Sequence, residues 1–235
     1  MDNIFYIFDV DGTILSPREK MEDEFAEYFY GFSCKNNVIL VSGSTIEMLK
    51  EQIPSFIQEK VKIYGCSGVE GNSLDIEYDI EDEDLMRVLQ SYLEKTNFNI
   101  LTGNHIEKRK GMINFSICGR NANPSQRKLF EDYDLKTAER LYFCKELKKL
   151  FGHKYNICLG GSTSIDITKL GIDKSLVAKD LLSTNNNPTI IFFGDGILNN
   201  GNDYSLAKYI SENNLGYSTQ IEYSQMKKNY KRILV

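Results

Sequence analysis

Apolar and polar positions run through this chain in two different rhythms. Ile4-Phe5-Tyr6-Ile7-Phe8 is an unbroken apolar run ended by Asp9, the pattern of a strand buried on both faces. Val38 to Val41, ending on Ser42-Gly43-Ser44, repeats it, as does Thr189 to Phe193, ending on Gly194-Asp195. Val61-Lys62-Ile63-Tyr64 predicts one more strand. Helical stretches lie between them at about 19–30, 45–52, 174–182 and 202–210. Strands alternating with helices predict a parallel sheet with crossover helices.

The middle of the chain reads differently. Residues 73–80 suggest an extended hairpin arm, and 82–96 an amphipathic helix with Leu85, Leu89, Tyr92 and Leu93 on one side. Met112 to Cys118 alternates, with Ile113, Phe115 and Ile117 on one face and Asn114 and Ser116 on a wet or functional one. A long helical region over 125–151 breaks near Tyr133-Asp134, and strands over 155–159 and 164–168 follow. The expected fold class is therefore α/β. A doubly wound, Rossmann-like parallel core spans 1–81 and 171–235, and an inserted α+β cap domain on an antiparallel sheet spans 82–170.

Composition then narrows the function classes. A chain of 235 residues, 41% hydrophobic and 26% charged, can bury a core without covalent staples. Its 5 cysteines are scattered and never spaced as CxxC, which argues against a zinc ribbon or a disulfide scaffold and fits reduced thiols in a cytoplasmic protein. A net charge of −5 argues against a nucleic-acid binder. No apolar run approaches the ~18 residues that span a bilayer, so no membrane partner is expected, and residues 1–10 carry no basic start of a signal peptide. His105 and His153 are the only histidines, which excludes a site built on three.

The candidate chemistry sits where apolar strands stop. Asp9-Val10-Asp11-Gly12-Thr13 places two acids two residues apart directly after a strand. Alone, that is equally the ending of a strand in a turn with a helix cap. A second pair, Asp195 and Asp203, follows another buried strand. In one parallel sheet these acids converge at one edge, where their repulsion calls for a cation, and hard oxygen ligands suit Mg²⁺. Such a site suits phosphoryl transfer, with one Asp as nucleophile, an acid two residues on as proton donor and acceptor, and a hydroxyl and a cation from Ser42 and Lys174.

The order Asp9-x-Asp11-Gly12-Thr13, Ser42, Lys174, then Gly194-Asp195 with Asn202-Asp203, resembles the four motifs of the haloacid dehalogenase (HAD) phosphotransferase superfamily. The insert between the second and third motifs is similar to the larger, C2-type caps. The segment from Arg109 to Arg120, RKGMINFSICGR, resembles the cap signature of eukaryotic-type phosphomannomutases. Pro17-Arg18, Arg127, Gly160 to Asp166, Gly171-Ile172-Asp173-Lys174 and Phe192-Phe193-Gly194-Asp195 extend that resemblance over nearly the whole chain. The sequence departs from that pattern at Gly65-Cys66-Ser67-Gly68, where the family usually carries Pro-Glu-Asn-Gly, at Ser42-Gly43-Ser44 and at Asn199-Asn200-Gly201. Residues 207–214 lack the family's run near a second cation, so that site is not carried over.

The resemblance implies a mutase that interconverts mannose 6-phosphate and mannose 1-phosphate. Asp9 is then the phosphorylated nucleophile and Asp11 the general acid/base, with Ser42 and Lys174 at the transferring group. Asp9, the Asp11 carbonyl and Asp195 hold Mg²⁺, with Asp203 at or behind that shell. Arg18, Arg109, Arg120, Arg127, Ser164 and Asp166 match positions that bind the hexose phosphate. A hexose bisphosphate activator and a homodimer through the cap are implied in the same way. Three arginines within 19 residues of a net-negative chain suit an anion pocket, because guanidinium forks bind phosphate bidentately and stay charged. Read without the motif, they are separate surface charges or helix ion pairs. The alternative activity is a HAD-type Mg²⁺-dependent sugar-phosphate phosphatase, and a catalytically silent sugar-phosphate sensor is a third.

Overall fold

The computed structural model describes residues 3–74, 79–198 and 201–234. In chain order these form β1 (Ile4–Asp9), α1 (Asp23–Ser33), β2 (Asn37–Val41), α2 (Ile46–Gln52), α3 (Ser55–Gln58) and β3 (Lys62–Tyr64). Then come α4 (Glu83–Leu93), β4 (Ile106–Arg109), β5 (Met112–Ser116), α5 (Pro124–Thr137), α6 (Glu139–Phe151), β6 (Tyr155–Gly160) and β7 (Ser164–Lys169). The chain closes with α7 (Ser175–Thr184), β8 (Thr189–Gly194), α8 (Tyr204–Glu212), β9 (Gly216–Gln220) and α9 (Tyr223–Ile233). Two compact units divide it: Met1–Ile76 with Asp173–Val235, and Glu77–Ile172.

The first unit is built on a parallel sheet ordered β3-β2-β1-β8-β9. Successive side chains leave a strand on opposite faces, so the apolar run of β1 feeds two cores. Phe8 joins Phe25, Phe29 and Phe32 of α1, Ile57 of α3 and Met226 and Tyr230 of α9. Ile7, Ile39 and Val41 join Val177, Ala178 and Leu181 of α7 and Leu206 and Ile210 of α8. Each fully buried Val, Leu, Ile, Phe or Met among them contributes about 1.5–3 kcal/mol. From β1 the chain winds outward to β2 and β3, and after the insert it returns to β8 and β9 on the other side. The order reverses between β1 and β8, and open α/β sheets bind ligands at the carboxyl ends of the strands at that point.

The second unit carries an antiparallel sheet ordered β4-β5-β7-β6. Ile113, Phe115, Ile157, Ile165 and Ile167 pack against Leu85 and Leu89 of α4, Phe130 of α5 and Phe143, Leu147 and Phe151 of α6. Asp82 starts α4 by accepting from the Leu85 N–H at 3.0 Å.

Several local expectations are corrected. α1 begins at Asp23 rather than near 19, because Arg18 is left-handed (φ 66°) and the Met21 N–H bonds to the Gln52 carbonyl at 2.9 Å. The long cap helix breaks at Ala138 (φ 53°), not at Tyr133-Asp134. Asp134 instead closes the joint, accepting from Arg140 N and Nε at 2.8 and 2.7 Å. The face of β5 that carries Asn114 and Ser116, expected to be wet or functional, is buried. Of the hairpin arm expected over 73–80, residues 75–78 lie outside the described residues. The 5 cysteines carry no disulfide, and no described helix is long and apolar enough to cross a membrane.

Candidate active site

The end of β1 supplies the first acid. Asp9 is buried, and after it the chain turns sharply: Thr13 and Ile14 bond back to the Val10 carbonyl at 3.3 and 3.1 Å. Thr13 Oγ1 donates to Asp9 Oδ2 at 3.1 Å. Gly12 sits at φ +96°, and a Cβ there would run into the Asp195 carboxylate. This position thus needs glycine twice, for its backbone and for the close approach of β8's acid.

Lys174 immediately precedes α7, and its side chain is buried. Nζ donates to Asp9 Oδ1 and to Asp203 Oδ1, both at 2.5 Å. Asp203 precedes α8 but does not cap it. Its other oxygen accepts from the Gly196 N–H at 2.9 Å. Asp11 accepts from the Arg18 N–H and Gln52 Nε2 on one oxygen, at 3.0 and 3.2 Å, and from Ser44 Oγ on the other at 3.3 Å. Ser42 is buried at the end of β2, and its Oγ accepts from the Ser44 N–H at 3.0 Å.

The charges of this cluster do not balance. One ligand oxygen from each of Asp9, Asp195 and Asp203 lies within 4.8 Å of the others. Burial and then the Asp203 charge push the Asp9 carboxyl well above the usual range, against the pull of Lys174. The same two causes push Asp195 up. For Lys174, burial works against the ammonium, but the charges of Asp203 and Asp9 more than offset it and hold it protonated. Three acids against one ammonium leave negative charge, and their all-oxygen donor set suits a hard divalent cation. The residues present therefore fit Mg²⁺.

In the second unit, Arg109 Nη2 donates to Glu107 Oε2 at 2.7 Å, and Arg120 Nε lies 2.8 Å from the same oxygen. Their side chains are only 6% and 12% exposed, so neither is a loose surface charge. Arg127, in the first turns of α5, buries Nη1 with no hydrogen-bond partner. Ser164 Oγ donates to the Gly160 carbonyl at 2.7 Å, and Asn114 Nδ2 donates to Asp166 Oδ1 at 2.6 Å. Arg18 belongs to the first unit and is exposed there. The first unit thus gathers Asp9, Asp11, Ser42, Lys174, Asp195 and Asp203 at one sheet edge. The second places Arg109, Ser164 and Asp166 on one sheet.

Sequence reasoning missed Gln52 and Glu107, and it gave Ser44 and Asn114 no role beyond a strand end and a polar strand face. Gln52 closes a helix more than 40 residues from the acid it serves, and no local pattern marks it. Glu107 lies on a short charged strand that apolar periodicity cannot find. His105 is structural: Nδ1 lies 2.9 Å from the Ser116 carbonyl, and Nε2 accepts from the Gly103 N–H at 3.2 Å.

The family model for eukaryotic phosphomannomutase matches residues 25–234. "Phosphomannomutase 1" of Dictyostelium discoideum is 33% identical over 219 residues, 87% of each chain. "Phosphomannomutase" of Drosophila melanogaster is 31% identical over 221 residues, 87% of this chain and 86% of its own. Among solved structures, SMU.1108c from Streptococcus mutans UA159 superposes with a TM-score of 0.61 at 16% identity, covering 98% of this chain and 99% of its own. A trehalose-6-phosphate phosphatase related protein gives 0.54 at 16% identity, covering 98% and 96%. At that identity the solved structures speak for the fold alone. The family match rests on sequence along most of the chain, and by it this protein belongs to the eukaryotic phosphomannomutase family.

Proposed function

We propose that the protein interconverts mannose 6-phosphate and mannose 1-phosphate through a phosphorylated Asp9 and a hexose bisphosphate. The observation that carries this reading is the buried Lys174 bridge between Asp9 and Asp203, which holds one Asp9 oxygen in a cluster where ligand oxygens of Asp9, Asp195 and Asp203 lie within 4.8 Å of one another. Mg²⁺, held by Asp9 and Asp195 with the Asp11 carbonyl, and Asp203 at or behind that shell, would supply positive charge against the incoming phosphate. An Asp9 oxygen attacks phosphorus, the bond from phosphorus to the sugar oxygen breaks, and Asp11 gives that oxygen its proton. Ser44, Gln52 and the Arg18 N–H keep the Asp11 carboxyl in place. Lys174 and Ser42 stabilise charge on the transferring oxygens, a contribution of roughly 3 kcal/mol for one well-placed donor.

The complementary step starts from phosphorylated Asp9: the bisphosphate it forms turns end for end to return its other phosphoryl group to Asp9, and it forms when mannose 1-phosphate presents its free 6-hydroxyl. Asp11 takes that hydroxyl's proton, the oxygen attacks phosphorus, and the Asp9–phosphorus bond breaks. Holding the sugar by its unreacted phosphate is the task of Arg109, Arg120 and Arg127, with Ser164 and Asp166 on the hydroxyls. A hexose bisphosphate primes Asp9 at the start. The test is mannose 1-phosphate with Mg²⁺ and catalytic bisphosphate. Mannose 6-phosphate is the expected product, and inorganic phosphate without it would make the protein a phosphatase.

A further inference from the structure

We propose that Asn114 is a positioning residue for sugar recognition that acts through Asp166. The proposal rests on the reading above that the polar face of the second unit's sheet binds the hexose. That face carries a row running across three strands. Glu107 lies opposite Asn114, and Asn114 opposite Asp166. Asn114 is therefore a neutral amide set between two acids on adjacent strands, where a third carboxylate would meet like charge on both sides. Glu107 is engaged by Arg109 and Arg120 at 2.7 and 2.8 Å. Asp166 is engaged by Asn114 Nδ2 at 2.6 Å.

The amide is a poor choice for packing alone. Asn114 is 3% exposed, yet its Oδ1 is buried with no hydrogen-bond partner. A buried, half-satisfied amide costs stability relative to an apolar side chain of the same size. Neighbours on the other face of β5, Ile113 and Phe115, show what this sheet uses where only packing matters. What the amide provides is direction. A carboxylate only accepts, so the NH₂ side must face Asp166, and the bond fixes one Asp166 oxygen. On the other side a Cβ at Gly160 would fall on the same carboxylate, so glycine there leaves it room. Asp166 is thus held between an amide donor and a glycine gap, and its orientation toward sugar hydroxyls is set by Asn114.

The test is a double-mutant cycle on kcat and KM for mannose 1-phosphate with Asn114→Ala, Asp166→Ala and the pair. Asn114→Ala is expected to lower kcat/KM on the order of tenfold, chiefly through KM, as loss of a hydrogen bond to a charged group does. In the Asp166→Ala background it should cost nothing further, because the residue acts only through that carboxylate. Asn114→Ser keeps a polar group but falls short of Asp166, and it gives the same comparison if the alanine variant does not fold. Additive losses, or an Asn114 variant with unchanged KM, would overturn the proposal. An Asp166→Ala variant with unaltered kinetics would instead overturn the underlying reading of the sugar face, and the inference with it.

Discussion

The carboxylate of Asp180 on α7 is a quantitative handle on the first unit. It is buried, and it accepts from Lys62 Nζ at 2.8 Å, Tyr64 Oη at 2.5 Å, the Ser73 N–H at 3.0 Å and Ser73 Oγ. Burial alone would raise its pKa, but the Lys62, Ser73 and Tyr64 donors outweigh burial and bring it down to about 2, from 3.8. A carboxyl depressed on folding stabilises the protein above its unfolded pKa, and that stability is lost as pH falls through the folded value. A gap of nearly two units corresponds to about 2.5 kcal/mol at neutral pH. Lys62 is half-exposed, so solvent screens its share and about 2 kcal/mol is the better figure. By pH 3 about half of it should be gone. Urea denaturation of the parent and Asp180→Asn at pH 7, 5, 4 and 3 reads this directly. The difference between the two proteins should be about 2 kcal/mol at pH 7 and shrink as the solution becomes acid. A difference that stays constant or grows on acidification would refute the assignment.

Other perturbations bear on the active site. Lys174→Met leaves Asp9 and Asp203 buried without their shared cation, and chemical denaturation at neutral pH should show a loss of about 3–5 kcal/mol, with turnover abolished. Gly12→Ala forces a left-handed alanine against Asp195; it should cost about 1–3 kcal/mol and depress kcat more than the melting temperature alone would suggest. Chelation of divalent cations should abolish turnover. Readdition of Mg²⁺ should restore it and raise the melting temperature in proportion to site occupancy, while Ca²⁺, larger and less strict in geometry, should not support activity.

The core was legible because its strands are continuous apolar runs that stop on functional residues. Asp9, Ser42 and Asp195 were placed by the ends of those runs, and β1, β2 and β8 end where expected to within a residue. Elements whose stability comes from tertiary packing left little trace. In β9, Gly216 to Gln220, no residue is fully buried, and α9 buries only Met226 and Tyr230, too little for a periodic signal. The break at Ala138 rests on a left-handed alanine, which no composition rule marks. Asn114 was seen as part of a polar strand face, but its bond to Asp166 depends on register between β5 and β7, and register is a property of the folded sheet.

The central claim is that Asp9 carries phosphorus covalently, and trapping that species tests it most directly. Protein with Mg²⁺ and hexose 1,6-bisphosphate, quenched in acid and mapped by peptide mass spectrometry, should carry one phosphoryl group on the peptide containing Asp9. Adding mannose 1-phosphate or mannose 6-phosphate should discharge it into bisphosphate, and Asp9→Asn should never acquire it. A protein that turns over hexose phosphates with no phosphopeptide, or with the group on another residue, would contradict the account.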